Sequence, residues 1–166
     1  YNTFRIGQWP DYYENAQVPR DKESLDQFFR QMTPNTGAYN DEVIAAAMAD
    51  VFEKSGDGVL VTHSQGGGPG WYTAIKTDMV RGIVAMEPGA FLFPEGEATS
   101  SPFPAKGVAV PVKDFLKLTK IPIVVYYGDN IPSEPTDNWG QDNWRVRLNL
   151  ARKWAAAINR YGGDAT

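Results

Sequence analysis

The residue types that could carry covalent chemistry in this chain meet in one stretch, LVTHSQGGGPGW at 60–71. An apolar run stops at His63-Ser64, and Gln65, three glycines, Pro69 and Gly70 follow. A serine hydroxyl becomes a nucleophile when a turn lifts it clear of its neighbours and a base takes its proton. Thr62-His63-Ser64-Gln65-Gly66 fits the small-x-Ser-x-small spacing of a nucleophile elbow, with threonine in place of the usual first glycine. The flanks must be small because the turn is tight and the serine backbone strained. Gly66 meets that demand, and Thr62 is short though larger than ideal. The backbone N–H of Gln65, opening the helix that follows, would point where an oxyanion develops. Two other readings compete: a glycine-rich turn with an incidental serine, and a phosphate cradle. The cradle lacks both the P-loop lysine and the GxGxxG spacing.

His63 is the one histidine of the chain and stands next to Ser64, yet it is not the expected base. Successive side chains on extended backbone point to opposite faces, which turns the imidazole away from the hydroxyl and leaves His63 a packing or orienting role. Two carboxylates are candidates to orient a base. Glu87 ends the apolar run VRGIVAME at 80–87, at the same sheet edge as Ser64, and is costly to bury unless it meets a partner such as histidine. A solvated glutamate in a turn is the competing reading. Asp129, directly after Gly128, is the second candidate acid, or a brace for the loop that follows.

Composition excludes other chemistries. With one histidine and no cysteine, ligands for a transition-metal cluster are lacking, disulfides are impossible, and no organic cofactor is implied. Asp137 and Asp142 could contribute to a Ca²⁺ site or be solvated loop charges. Sixteen basic residues are scattered in a chain of net charge −4, which gives no nucleic-acid-binding face. No apolar stretch approaches the roughly 20 residues of a membrane span. Aromatics make up 13%, many in stretches such as WPDYY at 9–13, which suits a ligand- or partner-facing surface or plain core packing. The chain opens on Tyr1 rather than Met and reads as a processed or excised piece.

Elements must position these groups. Residues 1–20 lack periodicity, and DKESLDQFFRQM at 21–32 sets Leu25, Phe28 and Phe29 on one helical face. A second helix is expected from an Asn40 cap to Gly56, with Val43, Ala47 and Phe52 inward. GVLVT (58–62), VRGIVAME (80–87) and IPIVVYYGD (121–129) are apolar at almost every position, as strands buried on both faces of a parallel sheet are. Helices are expected at 70–78, within 110–120, and at 143–163, the last with Leu148, Ala151, Ala155 and Ile158 on one face. The Pro/Gly/Ser-rich stretch 88–111 reads as a long loop or lid. The pattern is a single α/β domain with a mainly parallel sheet.

HSQGG at 63–67, GIVAMEPGAF at 82–91 and IPIVVYYGDNIP at 121–132 together resemble the α/β-hydrolase superfamily. Within it they are similar to a branch of bacterial esterases whose triad acid is a glutamate in a Glu-Pro-Gly turn. The resemblance covers about residues 40–163 and is most specific at 63–68 and 86–90. It implies a mainly parallel sheet flanked by helices, here a central to C-terminal portion of that fold. It implies hydrolysis of a small-molecule carboxylic ester through an acyl-enzyme at Ser64, with Glu87 as acid where most of the superfamily uses the position of Asp129, and with Gln65 in the oxyanion hole. The family's late histidine and second oxyanion donor have no match in this chain. The base is therefore expected after a further strand beyond the last helix, on a continuation of the chain, or on a second polypeptide. Another acyl hydrolase (peptidase or lactonase) and a non-catalytic binding protein that keeps the elbow are the alternatives. Export of related esterases suggests a periplasmic or secreted location.

Overall fold

The computed structural model describes residues 1, 4–31, 37–99 and 107–166. They form two compact units, Tyr1–Tyr39 and Asn40–Thr166. In the first, β1 (Gly7–Gln8) and β2 (Asp11–Tyr12) pair antiparallel. The Tyr1 hydroxyl donates to the Tyr12 oxygen at 2.8 Å, and its ring meets Trp9 edge-on. Helix α1 (Lys22–Arg30) starts on Asp21, whose carboxylate accepts the Ser24 N–H at 2.8 Å. None of its residues is buried, and Phe28 and Phe29 are exposed. Met32, the last residue of the helix expected here, lies outside the described residues.

The second unit runs α2 (Asp41–Ser55), β3 (Gly58–His63), a one-turn 3₁₀ helix (Ser64–Gly66), α3 (Gly67–Lys76), β4 (Val80–Met86), β5 (Phe91–Pro94), β6 (Gly107–Val110), α4 (Val112–Leu118), β7 (Pro122–Tyr126), α5 (Trp139–Arg160) and β8 (Asp164–Ala165). The main sheet has the order β3-β4-β7-β8, every neighbouring pair parallel. This is an α/β fold whose helices flank a parallel sheet. Asn40 caps α2, its Oδ1 accepting from Glu42 and Val43 N–H, and Gly56 ends it at φ +90°. A cap of this kind contributes about 1 kcal/mol.

Several sequence expectations need correction. The stretch 88–111 is not structureless: β5 and β6 form a second, parallel pair, with residues 100–106 outside the described ones. Phe91, Leu92 and Phe93 are almost fully buried, because Trp71 and Trp154 close over them. The Trp71 ring stacks on Phe91, Trp154 lies 4.6 Å from Trp71 between ring centroids, and the two indole N–H groups donate to the carbonyls of Ala90 and Leu92. Strand β3 is not buried on both faces. It is an edge of its sheet; Leu60 faces the core, whereas Val59 and Val61 are 59% and 58% exposed. Val43 and Ala47 of α2 point outward, and Ala45 and Ala49 are buried instead, small residues that let α2 approach α3 closely.

The last helix starts at Trp139, four residues before the expected position, capped by Asn138. Its buried stripe is Leu150, Ala151, Trp154, Ala157 and Ile158. Leu148 and Ala155 fall at the margin, because the bulk of Trp154 decides which of two overlapping apolar faces turns inward. Gly162, at φ +89°, ends the chain's helical run, and β8 follows at once.

Candidate active site

The site is built by the carboxyl ends of two adjacent strands. His63 of β3 is paired with Met86 of β4, so Ser64 and Glu87 come next on each strand. Their backbones are neighbours at the strand spacing of about 5 Å. Both leave the strand in the left-handed region, Ser64 at φ +52° and Glu87 at φ +49°. Ser64 is exposed, and it opens the 3₁₀ turn that feeds α3. Three hydrogen bonds fix the edge. Gly89 N–H donates to the Ser64 carbonyl at 2.9 Å, Glu87 N–H to the Tyr126 carbonyl at 2.8 Å, and Gly128 N–H to Glu87 Oε1 at 2.9 Å. The half-buried Glu87 carboxylate is thus held through one oxygen by the strand next door.

The glycines behind Ser64 have separate tasks. A Cβ on Gly67 would stand 2.5 Å from Pro88 Cβ and 2.9 Å from its Cα. One on Gly68 would stand 2.8 Å from Asp41 Oδ1, and one on Gly70 would stand 2.6 Å from Thr62 Cγ2. The bare helix face lets α3 press against the strand end and the Glu87-Pro88-Gly89 turn together. Gly66 is the exception: a Cβ there meets nothing within 4 Å, and its φ of −64° is ordinary. The small residue expected after the serine is therefore not demanded by space. At the other flank, where threonine replaces glycine, the helix compensates with Gly70. That reciprocity across strand and helix was not readable from the motif.

The other candidates separate by position. His63 is exposed and shares the sheet face of Val59 and Val61, opposite that of Leu60 and Thr62. Gln65 is the middle residue of the 3₁₀ turn, next to Ser64, and is exposed. Asp129 follows β7, one strand farther from Ser64 than Glu87, and is exposed; its Oδ1 accepts from Asn130 Nδ2 at 3.2 Å. Asp137 is exposed, and Asp142 is taken up by Arg145 Nε at 2.6 Å. That hydrogen bond holds the Asp142 carboxyl below its ordinary value, burial opposing and the Thr136 N–H assisting. Among the described residues, no three His, Cys, Asp or Glu side chains come together to hold a metal ion, and no helix is long and apolar enough to cross a membrane.

Neither the known family models nor the curated proteins contain a match to this chain. What the molecule defines by itself is an α/β protein with a mostly parallel four-stranded sheet and a serine and a glutamate strained side by side at its carboxyl edge.

Proposed function

We propose that this protein is a serine hydrolase acting on carboxylic esters. Ser64 attacks the carbonyl, the Gln65 N–H stabilises the oxyanion, and Glu87 orients a histidine supplied from outside these 166 residues. The observation that carries the reading is the pairing of Ser64 and Glu87, two non-glycine residues with positive φ at matching positions of adjacent strands. In open α/β sheets the carboxyl ends of strands are where ligands bind, and strained backbone clusters at active sites. Glu87 has the priority over Asp129 because it is on the strand next to Ser64.

The assignment of the base to another segment rests on the sheet. Parallel sheets of α/β proteins are covered on both faces, yet Val59, Val61, Met86 and Tyr126, which share the face of His63, are exposed. A segment outside the unit Asn40–Thr166, or a second chain, would cover that face and reach the edge beside Ser64.

Fluorophosphonate labelling of the full gene-encoded protein tests the reading. Labelling at Ser64, lost in Ser64→Ala together with ester hydrolysis, is the expected result. Full ester hydrolysis by Ser64→Ala overturns it. The 166-residue chain alone should hydrolyse esters only slowly; full activity there, abolished by His63→Gln, would return His63 to the role of base.

A further inference from the structure

A cavity of about 300 Å³ opens along the far end of helix α3, a volume at the lower end of the range for small-molecule sites. The Ser64 turn feeds the start of that helix, whereas Tyr72, Ile75 and Lys76, which line the cavity, belong to its last five residues. They stand roughly 8–14 Å along the axis from Gly67. The opposite wall is the end of β6 and the start of α4, with Ala109, Val110 and Pro111. Val110 is buried, and with Ile75 it gives the cavity an apolar lining. The Pro111 carbonyl accepts the Asp114 N–H at 2.9 Å, which fixes Asp114 at the cavity beside it.

The charges around this lining do not balance. Glu42 Oε2, on the rim, meets Lys76 Nζ at 2.6 Å, so these two answer each other. Lys117, one turn beyond Asp114 on α4, gives its Nζ to the Ile75 carbonyl at 2.6 Å. Among the described residues, no cation comes within ion-pair distance of the half-buried Asp114. A half-buried charge is ordinarily paired. Tyr72 is half-buried as well, and burial, followed by the charges of Asp41 and Glu42, raises its pKa and keeps the phenol neutral. Its oxygen can accept a hydrogen bond. Asp114 also stands in the first turn of α4, where a carboxylate is favoured. A role confined to that helix would show in stability and not in the choice of ligand.

We infer that this cavity binds an organic amine, its ammonium on Asp114 and its hydrocarbon arm on Ile75, Val110 and Pro111. A carboxylate ligand would meet Asp114 with like charge, and a neutral one would leave Asp114 unpaired. The site is independent of Ser64 and of the ester chemistry proposed above. Calorimetric titration of the full protein at neutral pH tests it with 2-phenylethylamine, 2-phenylethanol and 3-phenylpropionate, which have similar bulk and differ in charge. We expect saturable binding of the amine, at least about 10-fold tighter than that of the alcohol or the acid, the size of one hydrogen bond to a charged group. Asp114→Asn should weaken amine binding about 10-fold and leave the alcohol unaffected, whereas Asp114→Glu should retain most of the preference. Ala109→Leu, a change at an exposed position of the lining, should block the cavity to all three ligands. Ser64→Ala should leave amine binding unchanged, so the result stands whether or not the protein hydrolyses esters. Absence of saturable amine binding in the wild-type protein, or equal binding of amine and alcohol, overturns the proposal. So does an amine affinity that survives both Asp114→Asn and Ala109→Leu, or one that is lost in Ser64→Ala.

Discussion

Consider Gly70→Ala. The new Cβ would lie 2.6 Å from Thr62 Cγ2, while the next nearest atoms, Thr62 Cβ and Leu60 Cδ2, stand at 3.6 and 3.7 Å, ordinary contact. The obstruction is one methyl group on the strand residue two before Ser64. Two opposed terms decide the outcome. Replacing a helix-interior glycine by alanine is favourable by about 1 kcal/mol. Overpacking a fitted contact costs about 1–3 kcal/mol. The single variant should therefore lose up to about 2 kcal/mol. Thr62→Ser removes the offending methyl at a cost of about 0.8 kcal/mol. In the Thr62→Ser background the clash is gone and Gly70→Ala should stabilise by about 1 kcal/mol. The effect of the same alanine reverses sign with the residue opposite. Urea midpoints of the four proteins give the coupling energy, expected at about 1–3 kcal/mol. A value below about 0.5 kcal/mol, the level at which independent sites add, would refute the claim that Gly70 exists to accommodate Thr62.

Other consequences follow from the same edge. Ser64→Gly should be more stable than Ser64→Ala by about 1 kcal/mol, because only glycine adopts φ +52° without strain; equal melting temperatures would deny that strain. Gly67→Ala should cost about 2 kcal/mol or more, since Pro88 Cα is backbone and cannot swing away, whereas Gly66→Ala, with open space, should be neutral or stabilising in the same melts. Glu87→Gln keeps an oxygen acceptor for the Gly128 N–H, so stability should change little; on the proposed hydrolase reading kcat of the full protein falls by about 10⁴, and a mild Glu87→Gln beside a crippling Asp129→Asn would show the wrong acid was chosen. Asp142 has its pKa lowered by Arg145, so the stability it contributes is present above about pH 4 and is lost as pH falls. Asp142→Asn should reduce that acid-side loss, measured as urea midpoints between about pH 3 and pH 7.

The strands of the main sheet were legible where the sequence repeats one kind of evidence for several residues. GVLVT, VRGIVA and IPIVVY are apolar at almost every position, and each became a strand. FLFP at 91–94 carries the same information, but the surrounding prolines and glycines conceal it, and its burial depends on two tryptophans distant in the sequence. The two-residue β8 has no periodicity to read. In α2 the choice between Val43 and Ala45 could not be made from hydrophobicity, because helix–helix approach rewards the smaller residue. The pairing of Ser64 with Glu87 was readable too: two successive apolar strands place the glutamate at the same sheet edge, one strand over, and β3 and β4 are neighbours. What the sequence does not give is the hold on the Glu87 carboxylate, since the Gly128 N–H that binds its Oε1 comes from the far end of β7.

The weight placed on Ser64 and Glu87 comes from a comparison among the residues with positive φ. Among the described residues, four non-glycine residues have it: Arg5, Ser64, Glu87 and Asn130. Asn130 needs no special account, because asparagine enters the left-handed region with little penalty. Arg5 belongs to the first unit, in the turn before β1. Ser64 and Glu87 have no such excuse, and at roughly 1–2 kcal/mol apiece the strain consumes a measurable part of a marginal stability. Glycine at either position would remove it. Surrounding structure nevertheless holds both: the Gly89 N–H fastens the Ser64 carbonyl, the strand beyond fastens Glu87 from two sides, and α3 gives up its side chains at Gly67 and Gly70 to close on the neighbouring Pro88 and Thr62. An incidental serine in a glycine-rich turn would require none of this support. Strain retained at two matched positions is what the proposed roles of Ser64 and Glu87 rest on, because such backbone clusters at functional sites.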